Sequence, residues 1–396
     1  MRRVRISSHS PVQKLGDSQL SLSPKFRFAM ATNTPPSSEP VLPMGLLGEL
    51  IPGLPDDVAL NCLLRLPVES HPSCRSVCRR WHALLGSKER FFSQRKVSGF
   101  CSAWLFVLAF NRCTGKIQWH VLDLTLFSWH TIPPMPCRDR VCPHGLRCVA
   151  IPQEGSLLVC GGTVTGVDSP LDTVLRFEMQ SNRWTPVSRM LTPRSFFAAG
   201  LIHGLVYAAG GSSTNLSELS SAEALCPVTG SWQPVASMCT GFSSYDSAVL
   251  HGKLFVTEGW VWPFLFSPRG QVYDPRADAW EPMADGLREG WTGSSVVIDG
   301  HLFVISEHEN LRVKVYDMES DSWDTVDGSP VPPNIRKPYT VSSGDHEIYV
   351  VGRSLHIAVG HVRMKKKVNF TIRWQVVDAP ETLCDLTPSS TQLLFG

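Results

Sequence analysis

The sequence predicts a mainly β protein, in which a six-bladed β-propeller follows a small all-α domain. Three observations support this prediction: a helical pattern between residues 51 and 99, an apolar triplet that recurs six times after residue 100, and a tryptophan that recurs in phase with the triplet. With 396 residues, 43% of them apolar, the chain is long enough for two or three domains with ample core.

Residues 1–47 are predicted to form a disordered basic tail rich in Ser and Pro. Up to residue 46 the tail carries six Lys or Arg side chains, while its acidic residues are Asp17 and Glu39. No apolar stretch follows the basic residues, which argues against a secretory signal; an organelle transit peptide within residues 1–30 is the alternative. Met30 is an alternative start of translation.

Residues 48–98 show the spacing of short helices. Asp56 and Asp57 follow Pro55 and suit the positive end of a helix, and apolar residues then recur up to Pro67, at Val58, Ala59, Cys62, Leu63 and Leu66. A second helix is predicted from Ser73 to Gly86, with one apolar stripe at Val77, Cys78, Trp81, Leu84 and Leu85. Helices this short bury little surface, so we expect the unit to complete its core against another protein.

From residue 99 to residue 396 the pattern is that of strands and turns, and it repeats. Apolar triplets start 52, 49, 48, 48 and 46 residues apart, at Leu105, Leu157, Val206, Leu254, Leu302 and Ile348. Each period has room for about four short strands, and a single sheet of that size cannot bury both faces. Packing six such sheets around one axis solves this problem.

A second series holds the same register as the triplets. Tryptophans recur at Trp129, Trp184, Trp232, Trp280, Trp323 and Trp374, and in the first five units an apolar residue lies seven positions earlier, at Leu122, Phe177, Leu225, Tyr273 and Tyr316. We expect each tryptophan to fill the gap between neighbouring blades. Paired glycines, Gly161 with Gly162 and Gly210 with Gly211, are expected where backbones approach closely.

The first unit lacks its first strand, because it starts directly at Trp104. The segment from Asp385 to Phe395 follows the sixth tryptophan and has the composition to supply the missing strand. Closure by the C-terminal strand would leave no free sheet edge between the first and last blades.

Charge and cysteine content exclude several classes. The chain carries 37 basic and 35 acidic side chains, so it lacks the basic excess of nucleic-acid-binding domains, and its longest apolar run is far shorter than a membrane span. Twelve cysteines occur without a Cys-x-x-Cys pair, which favours a reducing compartment, in the cytoplasm, the nucleus or both. Cys137, Cys142, His144 and Cys148 miss the zinc templates, so no metal and no cofactor is predicted.

Two motifs resemble known families. The repeat with its paired glycines and phased tryptophan resembles the kelch repeat, and the segment from Leu54-Pro55-Asp56-Asp57-Val58 to Cys78-Arg79-Arg80-Trp81 resembles the F-box. Together they resemble plant F-box/kelch-repeat proteins. In that family the F-box binds the Skp1 adaptor of a cullin-RING ubiquitin ligase, called SCF, and the propeller captures the protein to be ubiquitinated.

The resemblance implies two sets of binding residues. The adaptor-binding set, which matches the F-box pattern, consists of Leu54, Pro55, Val58, Leu63, Pro67, Val77 and Trp81. The alternative for Val77 and Trp81 is that they hold the helices together. The substrate set lies on the rim, which we define as the loops after the second and fourth strands of each blade; such loops emerge at one end of a propeller.

The most unusual rim loop spans residues 259–269. It carries Trp260, Trp262, Phe264, Phe266 and Arg269, and exposed aromatic side chains beside an arginine are typical interface anchors. The alternative is that the loop packs on its own blade. Arg194 is a further substrate candidate, with a structural hydrogen bond inside the propeller as its alternative.

The predicted function is therefore a non-catalytic substrate receptor of a ubiquitin ligase. Two alternatives stay open: a propeller scaffold that acts outside a ligase, and a kelch-type copper oxidase. An oxidase needs tyrosines and histidines that converge at one end of the axis, whereas Tyr207, Tyr273, Tyr316 and Tyr349 are already assigned to strands. No residue pattern identifies the captured protein.

Overall fold

The computed structural model describes residues 49–66, 70–86, 103–136, 145–164, 169–214, 217–260, 266–366 and 369–395, with residues 91, 94, 95, 97 and 98. The described residues all belong to one compact unit, Glu49–Gly396. The predicted tail and the alternative start at Met30 lie outside the described residues.

The helices before the propeller are short. They are α1 (Asp56–Leu64), α2 (His71–Arg75) and α3 (Arg79–Gly86). Their shared core contains Leu50, Ala59, Leu63, Leu64, Leu85 and Phe91, all buried, with Trp81 and Leu84 packed against it. None of the helices in the described part of the chain is long and apolar enough to span a membrane.

The prediction of one continuous second helix is wrong. The helix is interrupted between Arg75 and Arg79, and Val77 and Cys78 are exposed in the turn. The hydroxyl of Ser76 donates to the carbonyl of Ser73 at 2.6 Å, a local bond that competes with a further helical turn. Cys78, predicted in the apolar stripe, therefore lies outside the core.

Six four-stranded antiparallel sheets follow, which confirms the predicted six-bladed propeller. The strands of the first three blades are β1 (Ala103–Asn111), β2 (Ile117–Asp123), β3 (Ser128–Thr131), β4 (Leu146–Ile151), β5 (Ser156–Gly161), β6 (Val174–Glu178), β7 (Arg183–Val187), β8 (Ala198–Ile202), β9 (Leu205–Ala209), β10 (Ala222–Cys226) and β11 (Ser231–Val235).

The remaining strands are β12 (Asp246–Leu250), β13 (Lys253–Thr257), β14 (Gly270–Asp274), β15 (Ala279–Pro282), β16 (Ser295–Ile298), β17 (His301–Ser306), β18 (Arg312–Asp317), β19 (Ser322–Thr325), β20 (Thr340–Ser343), β21 (Glu347–Val351), β22 (Ile357–Lys366), β23 (Asn369–Val377) and β24 (Leu386–Phe395). A short helix, α4 (Asp285–Gly290), joins blades four and five.

The first blade combines both ends of the propeller chain. Its strand order is β24-β1-β2-β3, so the C-terminal strand occupies the innermost position, where the sequence predicts it. The inner strands of neighbouring blades contact one another in a ring that runs through β24, β4, β8, β12, β16 and β20 and returns to β24. The circle of blades is thereby closed.

The seven-residue spacing before each tryptophan has a simple structural cause. In five blades the earlier apolar residue lies directly opposite the tryptophan across the outer hairpin, as Leu122 does with Trp129 and Tyr273 with Trp280. In the sixth blade the outer hairpin is longer, and Trp374 lies opposite Gly360. The periodic pair is therefore a cross-strand contact at the blade edge.

Each blade is buried on both faces. In β1, Phe106 and Leu108 face the second blade, whereas Leu105 and Val107 face the sixth. Successive side chains of a strand point to opposite faces, so a strand between two neighbouring blades must be apolar at every position. This explains why an apolar triplet marks the second strand of each repeat.

The tryptophans also join neighbouring blades through hydrogen bonds. The indole N–H of Trp184 donates to the Pro133 carbonyl at 2.7 Å, and that of Trp232 donates to the Ser188 carbonyl at 2.9 Å. The same bond to the connection after the preceding blade is made by Trp280, Trp323 and Trp374. In the first blade the indole nitrogen of Trp129 has no partner among the described residues.

The paired glycines lie where the prediction places them. A Cβ added to Gly161 would lie 2.5 Å from the Arg194 carbonyl oxygen, and one added to Gly211 would lie 2.6 Å from the Ser195 carbonyl oxygen. Both glycines have positive φ, which side chains rarely allow.

Candidate functional site

Helix α1 has apolar residues on two faces. Ala59 and Leu63 are buried in the helical core, whereas Val58 and Cys62 are exposed on another side of the helix. The carboxylate of Asp56 accepts a hydrogen bond from the Leu50 backbone N–H at 2.7 Å, and this bond holds its pKa below the usual value. The first turn of α1 is therefore anchored by a hydrogen bond to Leu50, and Val58 and Cys62 on this helix face solvent.

The predicted adaptor-binding residues divide into an exposed group and a supporting group. Leu54, Val58 and Val77 are 37%, 43% and 63% exposed, and Pro55 is exposed between the first two. Leu63 is buried, and the indole of Trp81 packs on the core and donates to the Leu50 carbonyl at 2.8 Å. Pro67 lies outside the described residues.

The helical domain contacts the propeller without covering its exposed apolar residues. The guanidinium of Arg75 donates to the carbonyl of Gln180, which lies in the outer turn of the second blade. Leu54, Val58 and Val77 stay exposed in the whole described structure. The apolar surface is consequently available to a partner.

The rim loop at residues 259–269 is described only at its two ends. The indole N–H of Trp260 donates to the Glu289 carbonyl at 3.0 Å, so this aromatic side chain leans on α4. Phe266 is 85% exposed. Trp262 and Phe264 lie outside the described residues. The packing alternative thus fits Trp260, and the binding alternative stays open for Phe266.

Arg269 is held by neighbouring groups. It donates to the Glu258 carboxylate at 2.7 Å, to both oxygens of Glu218, and to the Gly241 carbonyl at 3.0 Å. The hydrogen bonds that Arg269 donates to Glu218 are the main cause that raises the pKa of Arg269. Its guanidinium also lies over the Phe242 ring, 5.4 Å from the centroid. In this structure Arg269 joins three loops of the rim.

Arg194 lies inside the propeller, which supports the structural alternative for this residue. It is fully buried and donates to the Gly210 and Ser221 carbonyls at 2.8 and 2.9 Å. Its ion pair with Glu223 is 2.8 Å long, and Glu223 also accepts the backbone N–H of Leu191 at 2.6 Å. Arg194 has no surface for a substrate contact, so its prediction as a substrate residue is corrected.

The axis of the propeller contains a channel of about 950 Å³ lined by all six inner strands. At the rim end its mouth is formed by charged and phenolic side chains, namely Arg147, Tyr245, Asp246, Glu307, Lys337, Tyr339 and Arg353. Sequence reasoning missed this group because its members come from four blades. Their position in the repeat could have identified them, because each lies near the start of an inner strand or just after the second strand of a blade.

The group of three cysteines and one histidine, for which no metal site is predicted, lies mostly outside the described residues. Cys137, Cys142 and His144 lie outside the described residues, and Cys148 is buried in β4, where burial raises the pKa of its thiol to about 12. Within the described part of the chain, no group of three or more His, Cys, Asp or Glu side chains is arranged to hold a metal ion.

Comparison with known protein families gives two matches, one in the helical domain and one in the propeller. The F-box domain model matches residues 51–93, and the Kelch motif model matches residues 193–238. The chain is 57% identical to F-box/kelch-repeat protein At1g30090 of Arabidopsis thaliana over 100% of both chains. It is 38% identical to F-box protein AFR of the same plant, over 87% of this chain and 92% of the relative.

The fold and its exposed helical domain define a class, that of F-box proteins with a kelch propeller. A similarity that spans the whole length of a relative gives the assignment itself: the chain belongs to the plant F-box/kelch-repeat family.

Proposed function

We propose that this protein is the substrate receptor of an SCF ubiquitin ligase. In this role the F-box binds a Skp1-type adaptor and through it a cullin, while the propeller captures a protein for ubiquitination and degradation. The observation that carries the proposal is the exposure of three apolar side chains, Leu54, Val58 and Val77, which neither the helical core nor the propeller covers. Partly exposed apolar side chains on small helices suit a groove of a protein partner.

The proposed mechanism is proximity. A receptor that holds its captured protein near a ubiquitin-charged conjugating enzyme raises the effective concentration of the acceptor lysines. The receptor itself supplies no reacting group, so we propose that the chain is not an enzyme. Its site of action is then the cytoplasm, the nucleus or both, where the ligase components work.

The rim is the proposed surface for the captured protein. Among the predicted substrate residues, Phe266 offers the largest exposed apolar side chain, while Arg269 and Trp260 shape the rim around it. The mouth of the axial channel lies at the same end and adds charged groups to this surface.

A double substitution tests the adaptor step. We expect Val58→Asp with Val77→Asp to abolish binding of the full-length chain to a purified Skp1-type adaptor in biolayer interferometry, because two charges would be buried at the interface. Both side chains are exposed in the free protein, so the propeller should stay folded. The matched control is Val228→Asp, an exposed valine in an outer turn of the third blade, which should bind as the wild type does.

The same experiment separates the alternatives. If the wild-type chain fails to bind the adaptor while its propeller is folded, the ligase proposal is overturned and the scaffold alternative takes its place. Tyr245 and Tyr339 both line the channel, and an oxidase would need such tyrosines, but histidine is absent from the described residues that line the channel. The side chains that line the channel therefore favour the binding of a protein over the coordination of copper.

A further inference from the structure

The charges at the mouth of the axial channel are unequal. Among the described residues that line the channel, Arg147, Lys337 and Arg353 carry positive charge, and Asp246 and Glu307 carry negative charge. Local pairing decides which of these charges is available to a ligand.

Glu307 and Lys337 satisfy one another. The ammonium group of Lys337 donates to Glu307 Oε2 at 2.7 Å, and the hydroxyl of Tyr339 donates to Glu307 Oε1 at 3.2 Å. Both carboxylate oxygens of Glu307 are thus occupied, and the lysine charge is neutralised.

Arg147 and Asp246 also stabilise the channel wall. Arg147 donates to the Phe197 and Ser244 carbonyls at 2.6 and 3.0 Å, which fixes its guanidinium across the second, third and fourth blades. Asp246 accepts the indole N–H of Trp291 at 3.1 Å and the backbone N–H of Ser295 at 2.8 Å. The nearby Asp246 carboxylate balances the charge of Arg147.

Arg353 is the cation that remains. It is partly buried, it lines the channel, and its Nε atom is buried without a hydrogen-bond partner. Its guanidinium makes no ion pair or hydrogen bond with any residue in the described part of the chain. A buried donor without a partner is costly in a protein, and a water, an ion or a ligand can supply the missing acceptor.

The loop that carries Arg353 is rigid and strained. Ser354 and Leu355 have φ values of 64° and 59°, which side chains rarely adopt, and Leu355 is fully buried. The Arg353 backbone N–H donates to the Arg336 carbonyl at 3.0 Å, and the Ser354 hydroxyl donates to the Cys384 carbonyl at 2.7 Å. Strain of this kind persists only where the surrounding structure holds the backbone in place.

We propose that Arg353 binds a carboxylate of the captured protein, so that the channel mouth selects an acidic peptide segment. This inference rests on the proposed function and names the chemistry of its substrate. A guanidinium held by a rigid loop binds a carboxylate through two parallel hydrogen bonds at little entropic cost. The channel wall carries hydroxyl groups, including those of Thr340, Ser342 and Ser389, which suit a polar peptide better than an apolar small molecule.

Selection from a library tests the proposal without knowledge of the natural partner. Random dodecapeptides displayed on phage are selected on the immobilised full-length chain, and enriched peptides are then synthesised with a fluorescent label. We expect the enriched peptides to share an Asp or Glu and to bind Arg353→Gln at least about tenfold more weakly than the wild type, because a charged hydrogen-bond pair is lost. Replacing the shared acidic residue by its amide should have the same effect.

Arg336→Gln is the matched control. It removes the same charge from a neighbouring exposed side chain outside the channel lining, and it should change peptide affinity less than about twofold. The proposal is overturned if enriched peptides lack acidic residues, if they bind Arg353→Gln as well as the wild type, or if Arg336→Gln weakens them equally. It is also overturned if inorganic phosphate or malonate binds in an Arg353-dependent way and no acidic peptide does.

Adaptor binding is measured on the same variants. Arg353→Gln should bind the Skp1-type adaptor as the wild type does, because Arg353 lies in the propeller and not on the F-box. Failure of the peptide test with intact adaptor binding would reject the acidic-segment inference alone and leave the proposed ligase function untouched.

Discussion

Arg194 shows how a charged residue can have a purely structural role in this propeller. Its guanidinium joins Gly210, Ser221 and Glu223, and Glu223 in turn holds the backbone before Arg194. Sequence alone leaves a substrate contact and a structural bond as alternatives for this arginine. Glu223 decides between the two alternatives. It is 29 residues away in sequence, and only the fold brings its carboxylate to 2.8 Å from the Arg194 guanidinium.

Removal of the Arg194 side chain should destabilise the propeller. We expect Arg194→Ala to lower the free energy of unfolding by about 3–5 kcal/mol, because Glu223 would remain buried without its partner. Urea denaturation measures the change. The exposed Arg189→Ala, which loses only a surface ion pair with Asp172, serves as control and should cost less than about 1 kcal/mol. A small effect of Arg194→Ala would contradict the structural role.

His71 couples the stability of the F-box to pH. Burial, assisted by the charge of Arg95, lowers the pKa of His71 to about 4, whereas an unfolded histidine titrates near 6.5. The unfolded state therefore takes up its proton first as the pH falls. The stabilisation is fully present above about pH 6.5 and is lost as the pH approaches 4, by roughly 3 kcal/mol in total.

Hydrogen exchange measures this pH dependence. After correction for intrinsic rates, backbone amides of α1 to α3 should lose protection between pH 7 and pH 5 in the wild type, and the slope should flatten in His71→Gln. His82→Gln changes an exposed histidine on α3 and should keep the wild-type slope. Equal slopes in all three proteins would show that His71 is not the titrating group.

The outer hairpin of each blade connects the sequence pattern to the packing. A tryptophan and the apolar residue seven positions before it are predictable as a pair because they are opposed across a hairpin of fixed length. In the sixth blade β22 and β23 are longer, so the spacing fails and Gly360 takes the opposing position. The tryptophan ring then lies over the glycine.

Gly360→Ala should therefore destabilise the sixth blade. An added Cβ would lie 2.6 Å from a methyl carbon of Ile372 and 2.7 Å from the Trp374 ring, so we expect a cost of about 1–3 kcal/mol in urea denaturation. Gly86→Ala is the control, since a Cβ there meets no atom within 4 Å. A neutral Gly360→Ala variant would mean that Trp374 does not pack on this position.

The whole propeller depends on the strand that its C-terminus supplies. The missing first strand of the first unit and the leftover segment after Trp374 were sufficient to predict closure, because an open ring would expose two sheet edges. The channel mouth was not predictable in this way. Its residues lie far apart in sequence. The pairing of the rim residue Arg269 with Glu218 was hidden for the same reason, because the two are 51 residues apart.

Leu394 tests closure directly. This side chain of β24 is fully buried between the first and second blades, and we expect Leu394→Ala to lower the free energy of unfolding by about 2–5 kcal/mol. Leu191→Ala removes an exposed leucine and should cost less than about 0.5 kcal/mol. If both variants unfold alike, β24 does not close the ring.

In the proposed function, one chain joins a captured protein to a ubiquitin ligase. Ubiquitin-remnant mass spectrometry in plant cells, with the proteasome inhibited, is the most direct test of this role. The measurement compares cells that express the intact chain with cells that express the Val58→Asp/Val77→Asp variant. Proteins that copurify with both forms should carry additional ubiquitin only with the intact chain. If those proteins are ubiquitinated equally with both forms, the protein is not a receptor of this ligase.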